Sequence, residues 1–93
     1  MKITDIKIRK TFDDGPMRAV VSVTFDEQFV VHDIKVIYAS NKHFIVMPSR
    51  TVGEGNYRDI AHPINAEFRA ELEQSVLDSY FNLIEKSEET ELQ

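Results

Sequence analysis

Met17-Arg18-Ala19-Val20-Val21-Ser22-Val23-Thr24-Phe25-Asp26 alternates apolar and polar side chains almost without fault. In an extended chain Met17, Ala19, Val21, Val23 and Phe25 fall on one face, and Arg18, Ser22, Thr24 and Asp26 fall on the other with Val20. A sheet with one wet side favours antiparallel over buried parallel pairing. Working outward, Ile6 and Ile8 oppose Lys7 and Arg9 in a preceding strand, joined through the turn signal Asp13-Asp14-Gly15-Pro16. Downstream, Phe29 to Ala39 runs eleven residues without glycine or proline. Strands average about 5–6 residues, so this one must bend, carry a bulge or reach onto a second subunit. Its expected apolar face is Val30, Ile34, Val36 and Tyr38, interrupted by His32, with Asp33 and Lys35 opposite. Ser40-Asn41-Lys42 turns into a fourth strand, His43 to Arg50. Gly53-Glu54-Gly55-Asn56 turns into a short fifth around Tyr57 to Ile60.

The pattern then changes period. Pro63 disfavours helix at His62, and Asn65 has the side chain of a good N-cap. From Ala66, a stripe of Phe68, Leu72, Val76, Tyr80 and Leu83, with Leu77, Phe81 and Ile84 beside it, marks an amphipathic helix. About 20 residues of helix span roughly 30 Å, enough to cross a sheet. Beyond Glu85, Glu88, Glu89 and Glu91 oppose the helix dipole and favour fraying. The expected fold is α+β: an antiparallel sheet of about five strands with one long C-terminal helix. Residues 1–86 read as a single domain and 87–93 as an acidic flexible tail.

Composition narrows the chemistry. The 93 residues carry a formal charge of −5 and contain no cysteine, which excludes disulfides and thiolate metal sites. Residues 1–65 hold nine Lys/Arg against eight Asp/Glu, whereas 66–93 hold two against eight. The acidity therefore belongs to the helix and tail. Neither a signal peptide nor a stretch of transmembrane length is evident, so a cytoplasmic protein without membrane contact is expected. No catalytic pattern emerges. Gly-x-Ser-x-Gly is absent, and Gly53-x-Gly55 lacks the third glycine of a dinucleotide fingerprint. Asp59 and His62 read as organisers of the corner entering the helix. His32, His43 and His62 lack ligand-like spacing. No enzyme, cofactor or metal site is expected.

The basic residues are the remaining candidates. Lys7 and Arg9 share a strand face, and the turn at Gly15 is expected to bring Arg18 across from them. Arg50 and Arg58 flank the second hairpin turn. Such side chains can contact phosphates and release counterions, although charge alone favours an ordinary solubilising surface. Glu67, Glu71, Glu73 and Asp78 on the helix repel phosphate, so nucleic acid is expected to avoid most of that element, the N-terminus near Arg69 excepted.

Met47-Pro48-Ser49-Arg50 and Tyr57-Arg58-Asp59-Ile60-Ala61-His62-Pro63-Ile64-Asn65 closely resemble the stage V sporulation protein G family. Met1-Lys2-Ile3-Thr4-Asp5-Ile6, the stretch Ala19 to Asp26, and Phe29-Val30-Val31-His32-Asp33-Ile34 match it as well. The resemblance implies a bacterial cytoplasmic regulator of asymmetric septation, sporulation and gene expression that binds DNA or RNA as a homodimer joined through sheet strands. It maps candidate nucleic-acid contacts onto Arg50 and Arg58, with Lys7, Arg9 and Arg18 as further candidates from the strand pattern. Where the family usually has two adjacent basic residues after Met-Pro-Ser, this chain has Arg50 followed by Thr51, which removes one expected phosphate contact. The alternative is a regulator of septation that engages another protein and no nucleic acid.

Overall fold

The computed structural model describes residues 1–91, with side chains through Lys86. In chain order the elements are β1 (Ile3–Thr11), β2 (Met17–Phe25), β3 (Phe29–Ala39), β4 (Lys42–Val46), β5 (Ser49–Thr51), β6 (Tyr57–Asp59) and α1 (Ala66–Glu91). The first four form one antiparallel sheet in the order β1-β2-β3-β4, while β5 and β6 form a separate two-stranded ribbon. A single sheet of about five strands is thus replaced by four plus two. The expected fourth strand breaks at Met47-Pro48, because proline lacks the N–H that a continuous ladder needs. Pro48 instead accepts a bond from Ile60 N at 2.7 Å, which fastens the base of the ribbon. The expected acidic tail, 87–93, lies outside the residues whose side chains are described.

The core forms where β2 and β3 meet α1. Ala19, Val21, Val23, Ile34 and Val36 are fully buried, and Phe25, Ile45 and Met47 nearly so, beneath Leu72, Val76 and Tyr80. The helical contribution follows i, i+4 spacing, extended by half-buried Phe68 and Ile84. Leu83 and Phe81, expected on this stripe or beside it, are 38% and 41% exposed because a stripe stepping by four passes them by. Asn65 caps the helix as its chemistry predicts, its Oδ1 accepting from Phe68 N at 2.7 Å.

One irregularity in β3 decides its faces. Val21 pairs with Ile34 and Val23 with Val31, so Ser22 alone opposes both His32 and Asp33. This bulge holds Asp33 at φ 65°, a left-handed conformation that Asp tolerates better than most residues. Ser22 Oγ and His32 Nδ1 share a hydrogen bond of 2.8 Å across it. The extra residue reverses the alternation, so Val31 packs toward the core and Val30 is 43% exposed. The expected grouping of Val30 with Ile34 and Val36 is corrected accordingly.

Two hairpin turns use paired left-handed residues without glycine: Asp26-Glu27 and Ser40-Asn41. The first is tied to the N-terminal segment, since Glu27 N donates to Thr4 Oγ1 at 2.9 Å and Asp26 N to Lys2 O at 2.7 Å. Thr4 is itself the extra residue of a bulge in β1, and Arg9 is the extra residue of another. At the opposite rim, Glu73 Oε2 accepts from Ile45 N of β4 at 3.4 Å.

Replacing Asp33 with valine is expected to cost about 1–2 kcal/mol of stability, because a β-branched residue resists positive φ. Asp33→Gly should leave stability within about 0.5 kcal/mol. Urea unfolding of both variants measures the difference. A second expectation concerns Tyr80, whose phenol pKa is raised above its ordinary 10.0, chiefly by burial; nearby Arg18 works against the shift and Asp13 with it. The folded state therefore holds a proton that the unfolded state releases. The stability from burying the neutral phenol is intact below about pH 10 and declines as pH rises through the folded-state pKa. Alkaline urea titrations should show that decline, and Tyr80→Phe should flatten it.

Candidate nucleic-acid interface

The ribbon owes its shape to its turn. Val52 N donates to Asn56 O at 2.9 Å, and Gly53 (φ 122°) and Gly55 (φ 73°) supply backbone angles that side-chain-bearing residues resist. Pairing then places Ser49 opposite Asp59, Arg50 opposite Arg58, and Thr51 opposite Tyr57. Because side chains alternate, the two arginines project from one face of the ribbon, and Thr51 with Tyr57 from the other. Residues 50–60 are all exposed, Tyr57 at 71%. Like charges directly opposite each other destabilise a strand pair, and among the described residues no ion pair neutralises either guanidinium. The ribbon thus holds two cations together at an electrostatic cost and offers both to solvent.

The other sequence candidates are distributed differently. Lys7 pairs with Ser22, on the face of the sheet turned away from α1. Arg9 occupies the bulge between Ile8 and Lys10 and has no cross-strand partner. Arg18 does not come across from Lys7. The cross-strand neighbour of Lys7 is Ser22, four residues further along β2, and Arg18 interrupts the pairing between β2 and β3. Its guanidinium donates to Asp13 O at 3.1 Å and lies 5.5 Å from the Tyr38 ring centre. Tyr38 stacks near His43, which in turn meets Tyr80 and Phe81. Arg18 is thus at the Tyr80 end of the helix, whereas the Phe68 end contacts Phe25. Twelve helical residues, about 18 Å, separate those two ends.

Two lysines not singled out from sequence, Lys10 and Lys35, share the outer face with Lys7; both pair with Val20, one on each side of β2. Only the register reveals that they flank the same residue. At the corner entering the helix, His62 Nδ1 donates to Pro63 O at 3.0 Å, while Asp59 pairs with Ser49 across the ribbon. Among the described residues, no group of three or more His, Cys, Asp or Glu is arranged to hold a metal ion. No helix among them is long and apolar enough to cross a membrane.

An apolar cavity of about 320 Å³ opens beside the helix N-terminus, lined chiefly by Phe25, Phe29, Met47, Ile64 and Phe68. Phe29 and Ile64 are 61% and 89% exposed at its mouth.

Comparison with known proteins gives the same relatives over almost all of this architecture. The SpoVG family model matches residues 1–82. The "Putative septation protein SpoVG" of Clostridioides difficile (strain 630) is 64% identical over 80 residues, covering 86% of this chain and 87% of the relative. The protein of the same name from Acetivibrio thermocellus is 57% identical over 91 residues, 98% of this chain and 97% of the relative. That from Caldanaerobacter subterraneus subsp. tengcongensis is 59% identical over 80 residues, 86% and 88% respectively. The match spans the sheet, the arginine ribbon and most of the helix, and the chain belongs to the SpoVG family.

Proposed function

We propose that this chain is a cytoplasmic regulator linked to septation and sporulation that acts by binding DNA or RNA as a homodimer, without catalysis or a cofactor. The observation that carries the reading is the Arg50–Arg58 pair. Two unneutralised guanidinium groups on an exposed ribbon suit adjacent phosphates, each releasing counterions on contact. The names of the relatives supply the link to septation. A regulator that engages only a protein is the second reading, and the acidic exposed positions Glu67, Glu71 and Asp78 of α1 are the surface that favours it.

The dimer reading rests on the open half of β3. Phe29 to Ile34 pair with β2, but β4 covers only Lys35 to Ala39 on the other side. Backbone donors and acceptors of the first half are therefore free to pair with the same segment of a second copy, flanked by exposed Phe29 and Val30.

Two measurements test these claims. In a titration of labelled oligonucleotide at low salt, Arg50→Ala with Arg58→Ala should weaken binding by about 10–100-fold and reduce the salt slope by about 2. Equal binding by the double variant, or none by the unmodified chain, rejects the ribbon. In sedimentation equilibrium the unmodified chain should be dimeric at micromolar concentration and Phe29→Asp monomeric. An unmodified chain that sediments as a monomer rejects the dimer.

A further inference from the structure

The face of the four-stranded sheet turned away from α1 carries an arrangement that the ribbon does not use. Register places Lys10, Val20, Lys35 and Val46 in one row across all four strands. A second row runs Met17, Ile37 and Phe44. Lys7 and Ser22 form a third, with His32 bonded to the Ser22 hydroxyl. With strands about 4.8 Å apart and residues about 3.3 Å apart along them, Lys7, Lys10 and Lys35 form a triangle with sides of roughly 7, 10 and 12 Å. Beside it lies an apolar floor of Met17, Val20, Ile37, Phe44 and Val46, all half-buried, on the face of the sheet opposite to the one that packs against α1.

We infer that this open sheet face is a platform for single-stranded nucleic acid, with phosphates on Lys7, Lys10 and Lys35 and bases laid against Phe44 and its apolar neighbours. Charge decides the occupant. A second copy laid face to face would set these lysines against their own counterparts and desolvate Lys35 within the apolar floor, which opposes self-association. A flat anionic chain with apolar ring faces satisfies both halves of the surface. The acidic side chains Glu67, Glu71 and Asp78 belong to α1, on the far side of the sheet; on the platform face itself Asp5 stands two residues from Lys7, at the end of β1 away from Lys10 and Lys35. Duplex cannot present its bases to such a floor, so the platform discriminates strand state where the ribbon reads only phosphate.

The inference rests on the nucleic-acid reading above, and the test separates the two. Fluorescent single-stranded DNA and RNA oligonucleotides and the matching duplex are titrated at low salt with four proteins. These are the unmodified chain, the Arg50→Ala/Arg58→Ala variant, the Lys7→Gln/Lys10→Gln/Lys35→Gln variant and Phe44→Leu. The lysine variant should bind single strands about 10–100-fold more weakly with a shallower salt slope. Phe44→Leu should weaken single-strand binding about tenfold and leave duplex binding unchanged. If the unmodified chain binds no oligonucleotide, the nucleic-acid reading and this inference fall together. If only the arginine variant loses binding, this inference falls alone. A changed sedimentation coefficient for the lysine variant would reassign the face to self-association and also overturn it.

Discussion

Side chains alternate along a strand, so one inserted residue reverses every face assignment on one side of it, and the His32-Asp33 pair opposite Ser22 is such an insertion. Without it, Val30 would fall beneath the helix, and Val31 would face outward. With it, Val31 and Ile34 both serve the core although they stand three apart, and Val30 is turned to solvent. The Ser22–His32 hydrogen bond spans the irregularity on the outer face and satisfies a hydroxyl that is only 6% exposed. The placing of Phe29 and Val31 at the cavity beside α1 and the composition of the outer face both follow from this change of parity.

The sheet also sorts charge. A helix rich in glutamate covers one face, and lysines from β1 and β3 stand on the other, with Lys7 and Lys35 reaching it from different strands. The glutamates of the helix and the three lysines of the outer face, where Asp5 also stands, are separated by a hydrophobic layer. That layer holds the two sets of charge on opposite sides of the molecule, each facing its own solvent. The Arg50–Arg58 ribbon belongs to a separate two-stranded sheet and takes no part in this sorting.

Local chemistry made much of this legible. The alternation of β2, the Asn65 cap, the Gly53–Gly55 turn and the i, i+4 run from Leu72 to Tyr80 each depend on near neighbours in the chain, and each took the form that its residues predict. What escaped depends on partners distant in sequence. The bulge is chosen by how β2 and β3 register, which no property of Phe29–Ala39 alone dictates. The break at Pro48 turns on whether a continuous ladder would need its missing N–H. Lys10 and Lys35 become neighbours of one valine only after three strands are aligned. Arg18 was drawn instead into local contacts with Asp13 and Tyr38.

The treatment of the two sheet rims has a consequence for how the protein behaves when crowded. Two bulges kink β1, and on β4 the carboxylate of Glu73 occupies the Ile45 amide that an incoming strand would need. An unprotected β rim is a template on which copies can add indefinitely, each leaving a new rim for the next. Here that polymerising route is obstructed on both sides. In the proposed dimer, strand pairing uses the short open stretch of β3, and a pairing of that stretch with itself uses up the site and ends with two. The same features that shape the sheet therefore favour a closed assembly over a fibril.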